Sequence, residues 1–146
     1  MAHTLFIIKP DAVAARRIGP ILARVEAAGF AIRELALARL TVDEARRFYQ
    51  VHRERSFFDE LTRFMSSGPC VPCLLEGPED AIDRLRSLMG VTDSRQAAAG
   101  TIRAEFGTDI QANAVHGSDG PATARDEIGF WAAKLGWKVP AEAAGR

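Results

Sequence analysis

The stretch Thr4-Leu-Phe-Ile-Ile-Lys9-Pro10 decides the fold, because it places an apolar run near the start of the chain. Every residue between Thr4 and Lys9 is apolar, so a strand built from them buries both of its faces. Such a strand lies inside a sheet and needs other elements to cover it on both sides. We therefore predict a central strand over residues 4–9, ended by Pro10.

The segments that follow alternate between helical and extended patterns. Apolar residues at helical spacing predict a helix over residues 18–28, with Gly29 as its stop. The other predicted elements are a strand over 30–40, a helix from the capping box Thr41-Val-Asp-Glu44 to about His52, a helix capped by Ser56 and ending near Met65, a strand over 70–75, a helix over 79–89, a long, partly helical loop over 91–106, a strand over 112–116 and a helix from Pro121 through Trp131. This split β-α-β order with an inserted helical hairpin predicts a single α+β sandwich domain over residues 1–146.

Size and charge restrict the classes of function. The chain has 146 residues, of which 47% are apolar, and 19 basic residues balance 19 acidic ones. A chain with no net charge has no overall field to hold it on nucleic acid or an anionic membrane. No apolar run approaches the roughly 18–20 residues of a membrane span, and the apolar start is too short for a secretory signal. We expect a cytoplasmic protein in which local clusters of positive groups bind anions.

Cys70 and Cys73 have the Cys-x-x-Cys spacing of some redox and zinc sites. They lie in an apolar run that predicts a strand, in which positions three apart point to opposite faces. The sulfur atoms are therefore expected to diverge and to serve in packing.

The sequence has neither a Walker A motif nor Gly-x-Gly-x-x-Gly, so any phosphate site lacks a glycine-rich cradle. Among the three histidines, His3 and His52 are interpreted as ordinary surface residues. His116 differs, because it ends an apolar strand and precedes Gly117-Ser-Asp-Gly120. Context alone leaves open whether His116 lies at the rim of a site or is a structural histidine at a turn.

A histidine nucleophile for phosphoryl transfer needs one unprotonated ring nitrogen and a partner that orients the other. Glu127 and Ser118 are candidates for that partner. The reaction also needs cations around the developing charge, and Lys9, Arg86 and Arg103 are candidates for this role. Taken alone, each of these three side chains is of a type that usually lies on the protein surface.

Asn113-Ala-Val-His-Gly-Ser-Asp119 resembles the active-site signature of nucleoside diphosphate kinases. Further motifs follow in the order and spacing of that family, and the resemblance covers about residues 4–131. They are Ile8-Lys-Pro-Asp11, Arg55-Ser-Phe-Phe58, Ser67-Gly-Pro69, Leu75-Glu-Gly77, Met89-Gly-Val-Thr92, Gly100-Thr-Ile-Arg103 and Glu127-Ile-Gly129.

The resemblance implies a ferredoxin-like α/β sandwich, with a four-stranded antiparallel sheet and helices packed on it. It also implies a ping-pong reaction, in which ATP phosphorylates a histidine and a nucleoside diphosphate then takes the phosphoryl group. Family members use Mg²⁺ held mainly by the nucleotide phosphates. They form homo-oligomers, and the sequence leaves tetramer, hexamer and dimer open. Nucleic acid is not required as a partner.

The resemblance also implies a role for each matching residue. His116 would be the nucleophile, Lys9 would stabilise the transferring group, and Glu127 and Ser118 would orient the imidazole. The other implied positions are Tyr49 near the catalytic histidine, Phe57 stacking on the base, Arg86, Thr92 and Arg103 on the phosphates, and Asn113 on the sugar hydroxyls.

Some positions depart from the family pattern. Ser56 replaces a proline, Asp93-Ser94 replaces Asn-Pro, Ala99 replaces a proline, and the tail after Trp131 is short and dissimilar. Because two of these prolines would lie in the 91–106 loop and restrain it, the sequence predicts a looser loop. Two other classes of function remain as alternatives. A catalytically silent nucleotide-binding module would keep the fold, and a thiol–disulfide protein would use Cys70 and Cys73.

Overall fold

The computed structural model describes residues 1–143. Its elements are β1 Ala2–Ile8, α1 Pro10–Ala14, α2 Ile18–Ala27, β2 Ala31–Leu35, α3 Val42–Phe48, a 3₁₀ turn Gln50–His52, α4 Phe58–Met65, β3 Val71–Gly77, α5 Ala81–Met89, a 3₁₀ turn Ser94–Gln96, α6 Ile102–Phe106, β4 Val115–Gly117, α7 Pro121–Leu135 and a 3₁₀ turn Ala141–Ala143. The four strands form one antiparallel sheet in the order β2-β3-β1-β4. The predicted α+β class, the four-stranded antiparallel sheet and the helical hairpin α3–α4 are confirmed.

β1 is the central strand that the opening stretch predicts. It pairs with β3 on one side and with β4 on the other, where Ile7 faces His116 in register. Leu5 and Ile7 pack into one core with α3, α4 and α7, whereas Phe6 and Ile8 pack into a second core with α2 and α5. All four side chains are fully buried, so helices cover both faces of the sheet.

Two local signals act as the sequence predicts. Gly29 follows α2 with φ of +96°, a conformation that glycine adopts without steric cost. The capping box opens α3, because the Thr41 hydroxyl accepts the Glu44 N–H at 3.1 Å and the Glu44 carboxylate accepts the Thr41 N–H at 2.9 Å. These bonds satisfy two donors at the start of α3.

Several predictions of local structure differ from the structure, among them the second strand, which ends at Leu35 rather than at residue 40. Pro10 does not simply end β1 but begins α1, since proline suits the first position of a helix. Ser56 does not cap α4, whose N-cap is Phe57 without a side-chain bond. The last strand begins at Val115 rather than at residue 112, because Ala114 has φ of +72° and interrupts the extended backbone.

The interpretation of His3 as a surface residue is also wrong. Its side chain is buried, and Nε2 lies 2.8 Å from Oε2 of Glu76 on the neighbouring strand. The cysteine prediction is confirmed, since Cys70 packs into the core with Leu5 and Cys73 into the opposite core with Phe6. Both thiols are free. None of the helices within residues 1–143 combines the length and apolarity needed to cross a membrane.

Candidate active site

His116 lies on the edge strand β4 with its side chain 21% exposed. Nε2 lies 2.8 Å from Oε1 of Glu127 on α7. An ionised carboxylate can only accept a hydrogen bond. This contact therefore places the ring proton on Nε2 and leaves the lone pair on Nδ1. Nδ1 makes no hydrogen bond to any part of the chain that the structure describes. The ring therefore has the geometry that nucleophilic attack requires.

Ser118 contacts Glu127 rather than the imidazole. Its hydroxyl is fully buried and donates to the same Oε1 at 2.8 Å. Ser118 was predicted to orient the ring beside Glu127, but only Glu127 forms a hydrogen bond with the ring. Ser118 instead restrains the carboxylate that holds Nε2.

Aromatic side chains form one wall of the histidine site. The ring of Tyr49 lies edge-on to His116 at 5.9 Å, and that of Phe48 lies at 5.7 Å. Burial raises the pKa of Tyr49 well above its usual value, and the negative charge of Glu127 adds to this rise, so the phenol stays protonated. Phe48 is not among the predicted site residues, although it directly precedes Tyr49 at the end of α3.

Lys9 is buried, contrary to the usual exposure of lysine. Its ammonium group donates to the Gln111 carbonyl and to Oδ1 of Asn113, both at 2.7 Å, and lies 5.2 Å from the centre of the Phe64 ring. Burial lowers the pKa of Lys9 to about 8, assisted by the positive charge of Arg103 and opposed by Asp11 and Asp109. Lys9 thus remains mostly charged at neutral pH, close to its titration.

Asn113 connects Lys9 to the long loop. Its side chain is buried, and Nδ2 donates to the Thr92 carbonyl at 3.0 Å and to the Ile110 carbonyl at 3.2 Å. The side chain of Thr92 itself is exposed. These bonds bring the loop next to the start of α1, where Lys9 lies.

The two candidate arginines lie near each other beside β4. The Arg103 guanidinium donates to the carbonyls of Val115 at 2.8 Å and of Gly90 at 3.0 Å, one residue from His116. Burial lowers the pKa of Arg103 to about 10, and the positive charge of Arg86 adds to this effect. Arg103 therefore keeps its charge at neutral pH. Arg86 is exposed.

A row of rings leads from His116 to Phe57. The ring of His52 stacks with that of Tyr49 at 6.5 Å and lies 5.6 Å from that of Phe57. His52 is half-buried between them, so its interpretation as a simple solvated residue is wrong. Phe57 is 45% exposed and presents its apolar ring to solvent.

Contacts around β4 therefore link most of the predicted site residues, from the ring of His116 on one side to Lys9, Asn113 and Arg103 on the other. This region combines imidazole, ammonium and guanidinium groups, a set suited to a polyanionic phosphate substrate. A separate shallow hollow lined by Phe30, Asp80 and Arg84 contains none of these residues. Within residues 1–143, no group of three or more His, Cys, Asp or Glu side chains is placed to hold a metal ion.

Comparisons with known proteins identify one family. The family model described as nucleoside diphosphate kinase matches residues 2–135. A protein of Desulfatibacillum aliphaticivorans named nucleoside diphosphate kinase is 53% identical over 131 residues, covering 90% of this chain and 94% of its own. The solved nucleoside diphosphate kinase of Aquifex aeolicus is 52% identical with a TM-score of 0.85, covering 88% of this chain and 93% of its own. The nucleoside diphosphate kinase of Halobacterium salinarum, solved in complex with CDP, is 32% identical with a TM-score of 0.85. The match covers 94% of this chain and 99% of that protein.

Proposed function

Because the chain belongs to the nucleoside diphosphate kinase family, we propose that His116 is the residue that carries the phosphoryl group in its reaction. The chain is a phosphotransferase that acts on ATP and nucleoside diphosphates, and its family works through a phosphohistidine. The single observation that supports His116 is the 2.8 Å contact between Nε2 and Glu127, which leaves Nδ1 with its lone pair.

The reaction then proceeds in two balanced displacements. The Nδ1 lone pair attacks the γ-phosphorus of ATP, and the bond from that phosphorus to the bridging oxygen breaks, so ADP leaves with the electron pair. A terminal phosphate oxygen of a second nucleoside diphosphate next attacks the phosphohistidine. The nitrogen–phosphorus bond breaks and returns neutral imidazole. Glu127 remains bonded to Nε2–H and stabilises the positive ring of the intermediate.

The positive groups stabilise the charge on the transferring phosphoryl group. Lys9 is the inner cation, and Arg86, Arg103 and Thr92 bind the nucleotide phosphates. Asn113 contacts the sugar hydroxyls, since Lys9 uses only one of the two lone pairs on Oδ1. Tyr49 packs beside the imidazole and limits its rotation.

Phe57 stacks on the base, a contact that every base offers with its π-face. This suits an enzyme that accepts several bases, and the Halobacterium salinarum relative is described in complex with CDP. Mg²⁺ accompanies the nucleotide and is held mainly by its phosphate oxygens, as the resemblance to the family implies. The enzyme works in the cytoplasm as a homo-oligomer, for which tetramer, hexamer and dimer all remain open.

The direct test is labelling with the γ-phosphate of radioactive ATP and Mg²⁺. The protein should acquire an acid-labile, base-stable label, and His116→Ala should abolish it. His52→Gln is the matched control, because it removes a nearby imidazole and should keep the label. Label that survives in His116→Ala would refute the assignment. Nucleotide binding without any label on the wild type would favour the silent module instead.

A further inference from the structure

Asp11 has a bonding partner that the proposed reaction does not explain. It lies in the first turn of α1, yet its Oδ2 accepts the backbone N–H of Ala114 at 3.0 Å, across the gap between α1 and the start of β4. The N-cap of α1 is Lys9, whose side chain makes no capping bond. The Asp11 carboxylate therefore accepts a hydrogen bond from the segment before β4 and does not cap the start of its own helix.

Within residues 1–143, Ala114 is one of two non-glycine residues with positive φ, and the other is Arg16. Ala114 is fully buried and has φ of +72°, a region that residues with a Cβ atom rarely adopt. The Val115 N–H donates to the Asn113 carbonyl at 2.8 Å, so Ala114 is the centre of a strained γ-turn. The Ala114 carbonyl accepts the Lys9 N–H at 2.8 Å. Both backbone groups of Ala114 are thus tied to the segment around α1.

This turn separates the two halves of the site. Asn113, which binds the Lys9 ammonium, comes directly before it, and His116 follows two residues after it. If Ala114 relaxed to a negative φ, the chain direction between Asn113 and His116 would change. A displacement of about 1 Å between reacting groups is enough to cost roughly a hundredfold in rate.

The other oxygen of Asp11 shows that this arrangement has a cost. Oδ1 is buried and has no hydrogen-bond partner within residues 1–143. A buried acceptor without a partner destabilises a protein, so stability alone does not favour a carboxylate at this position. We propose that Asp11 is a positioning residue for phosphoryl transfer, which holds the Ala114 turn so that Lys9, Asn113 and His116 meet the same nucleotide. The inference rests on the proposed function.

The charge of Asp11 gives a second readout. Three charged groups act on the Lys9 ammonium: Asp11 and Asp109 raise its pKa, and Arg103 lowers it. Asp11→Asn keeps the size and an acceptor oxygen for Ala114 but removes the charge. In that variant the alkaline limb of kcat/KM should move to lower pH, while the rate at pH 6.5 stays within about threefold of the wild type.

The decisive experiment measures single-turnover phosphorylation of His116 by ATP with Mg²⁺ in four proteins. Asp11→Ala should slow the step about 10- to 100-fold. Ala114→Gly alone should change it by less than about threefold, because glycine adopts positive φ without strain. The double variant Asp11→Ala/Ala114→Gly should regain most of the lost rate. If Asp11 had a purely structural role, Asp11→Ala would lower the melting temperature but leave the phosphorylation rate of the folded protein unchanged.

Two results would overturn the inference: a folded Asp11→Ala protein with the wild-type rate, or a folded double variant as slow as Asp11→Ala. If Asp11→Ala does not fold, the double variant alone decides, since near wild-type rate supports the inference and a hundredfold loss refutes it. Failure of the proposed function has a different signature, because the wild type would then carry no label on His116.

Discussion

Nε2 of His116 and Oε1 of Glu127 lie 2.8 Å apart, and this contact determines which ring nitrogen is available for chemistry. The same oxygen accepts the hydroxyl of Ser118, so its position is fixed from two sides. One carboxylate therefore sets both the tilt of the imidazole and its tautomer.

Glu127→Gln should lower kcat about 10- to 100-fold. The amide can present its NH₂ group to Nε2, which would turn Nε2 into the acceptor and move the proton to Nδ1, the wrong tautomer for attack. Ser118→Ala should cost less, because the ring keeps its direct bond. Steady-state kinetics measure both effects. Glu26→Gln, an exposed change on α2, is the control, and a Glu127→Gln enzyme as fast as that control would contradict this role.

The kcat/KM of the wild type should fall as pH rises through about 8. Burial lowers the pKa of Lys9 to about 8, so the side chain is a charged ammonium below that pH and a neutral amine above it. The neutral amine no longer stabilises the transferring phosphoryl group. Lys9→Met should therefore lose about 100- to 1,000-fold in kcat at pH 7. Its kcat/KM should also lack the alkaline limb, the fall that the wild type shows as pH rises through about 8.

Lys138→Met is the matched control for this prediction, since it removes an exposed lysine and should keep both rate and limb. An alkaline limb at the same pH in Lys9→Met would assign the titration to another group. It would leave Lys9 without the proposed role in the pH profile.

Phe57→Leu should weaken the binding of ADP and CDP to a similar extent, about 5- to 150-fold. Stacking of one base on an aromatic ring contributes about 1–3 kcal/mol and differs little between bases. The fold should survive, because the ring is 45% exposed. Calorimetric titration measures the dissociation constants, with Phe57→Tyr as the variant that keeps a stacking ring. A loss confined to one of the two nucleotides would argue against a base-indifferent contact.

Replacing Cys70 and Cys73 together by serine should leave phosphotransfer largely intact. Burial raises the pKa of each thiol to about 12, so neither is a thiolate at neutral pH. The serine hydroxyls should nevertheless lower the melting temperature, since a buried hydroxyl without a partner costs about 1–3 kcal/mol. The alanine pair avoids that cost, and a folded alanine variant without activity would revive the thiol hypothesis.

The parts of the fold that local chemistry determines could be predicted from the sequence. The apolar run of β1 predicts its central place, Gly29 ends α2, and the Thr41 capping box begins α3. The sequence did not predict α1, because Pro10 fits both the end of a strand and the start of a helix. Each of these local signals involves residues that are close together in the chain, so the sequence alone contains the information needed to predict it.

Features that depend on distant contacts could not be predicted in the same way. Lys9 can be buried because its ammonium group donates hydrogen bonds to Gln111 and Asn113, which are more than 100 residues away in the chain. His3 is buried because Glu76 on β3 lies beside it. The late start of β4 likewise follows from Ala114, which is bonded to Asp11 and Lys9.

The most direct test of the account is the position of the phosphoryl group on the His116 ring. Protein phosphorylated by ATP and kept at alkaline pH, with ¹⁵N-labelled histidine, allows ³¹P and ¹⁵N NMR to identify the bonded nitrogen. Glu127 holds Nε2, so the account predicts phosphorus on Nδ1 of His116. Phosphorus on Nε2, or on another residue, would contradict it.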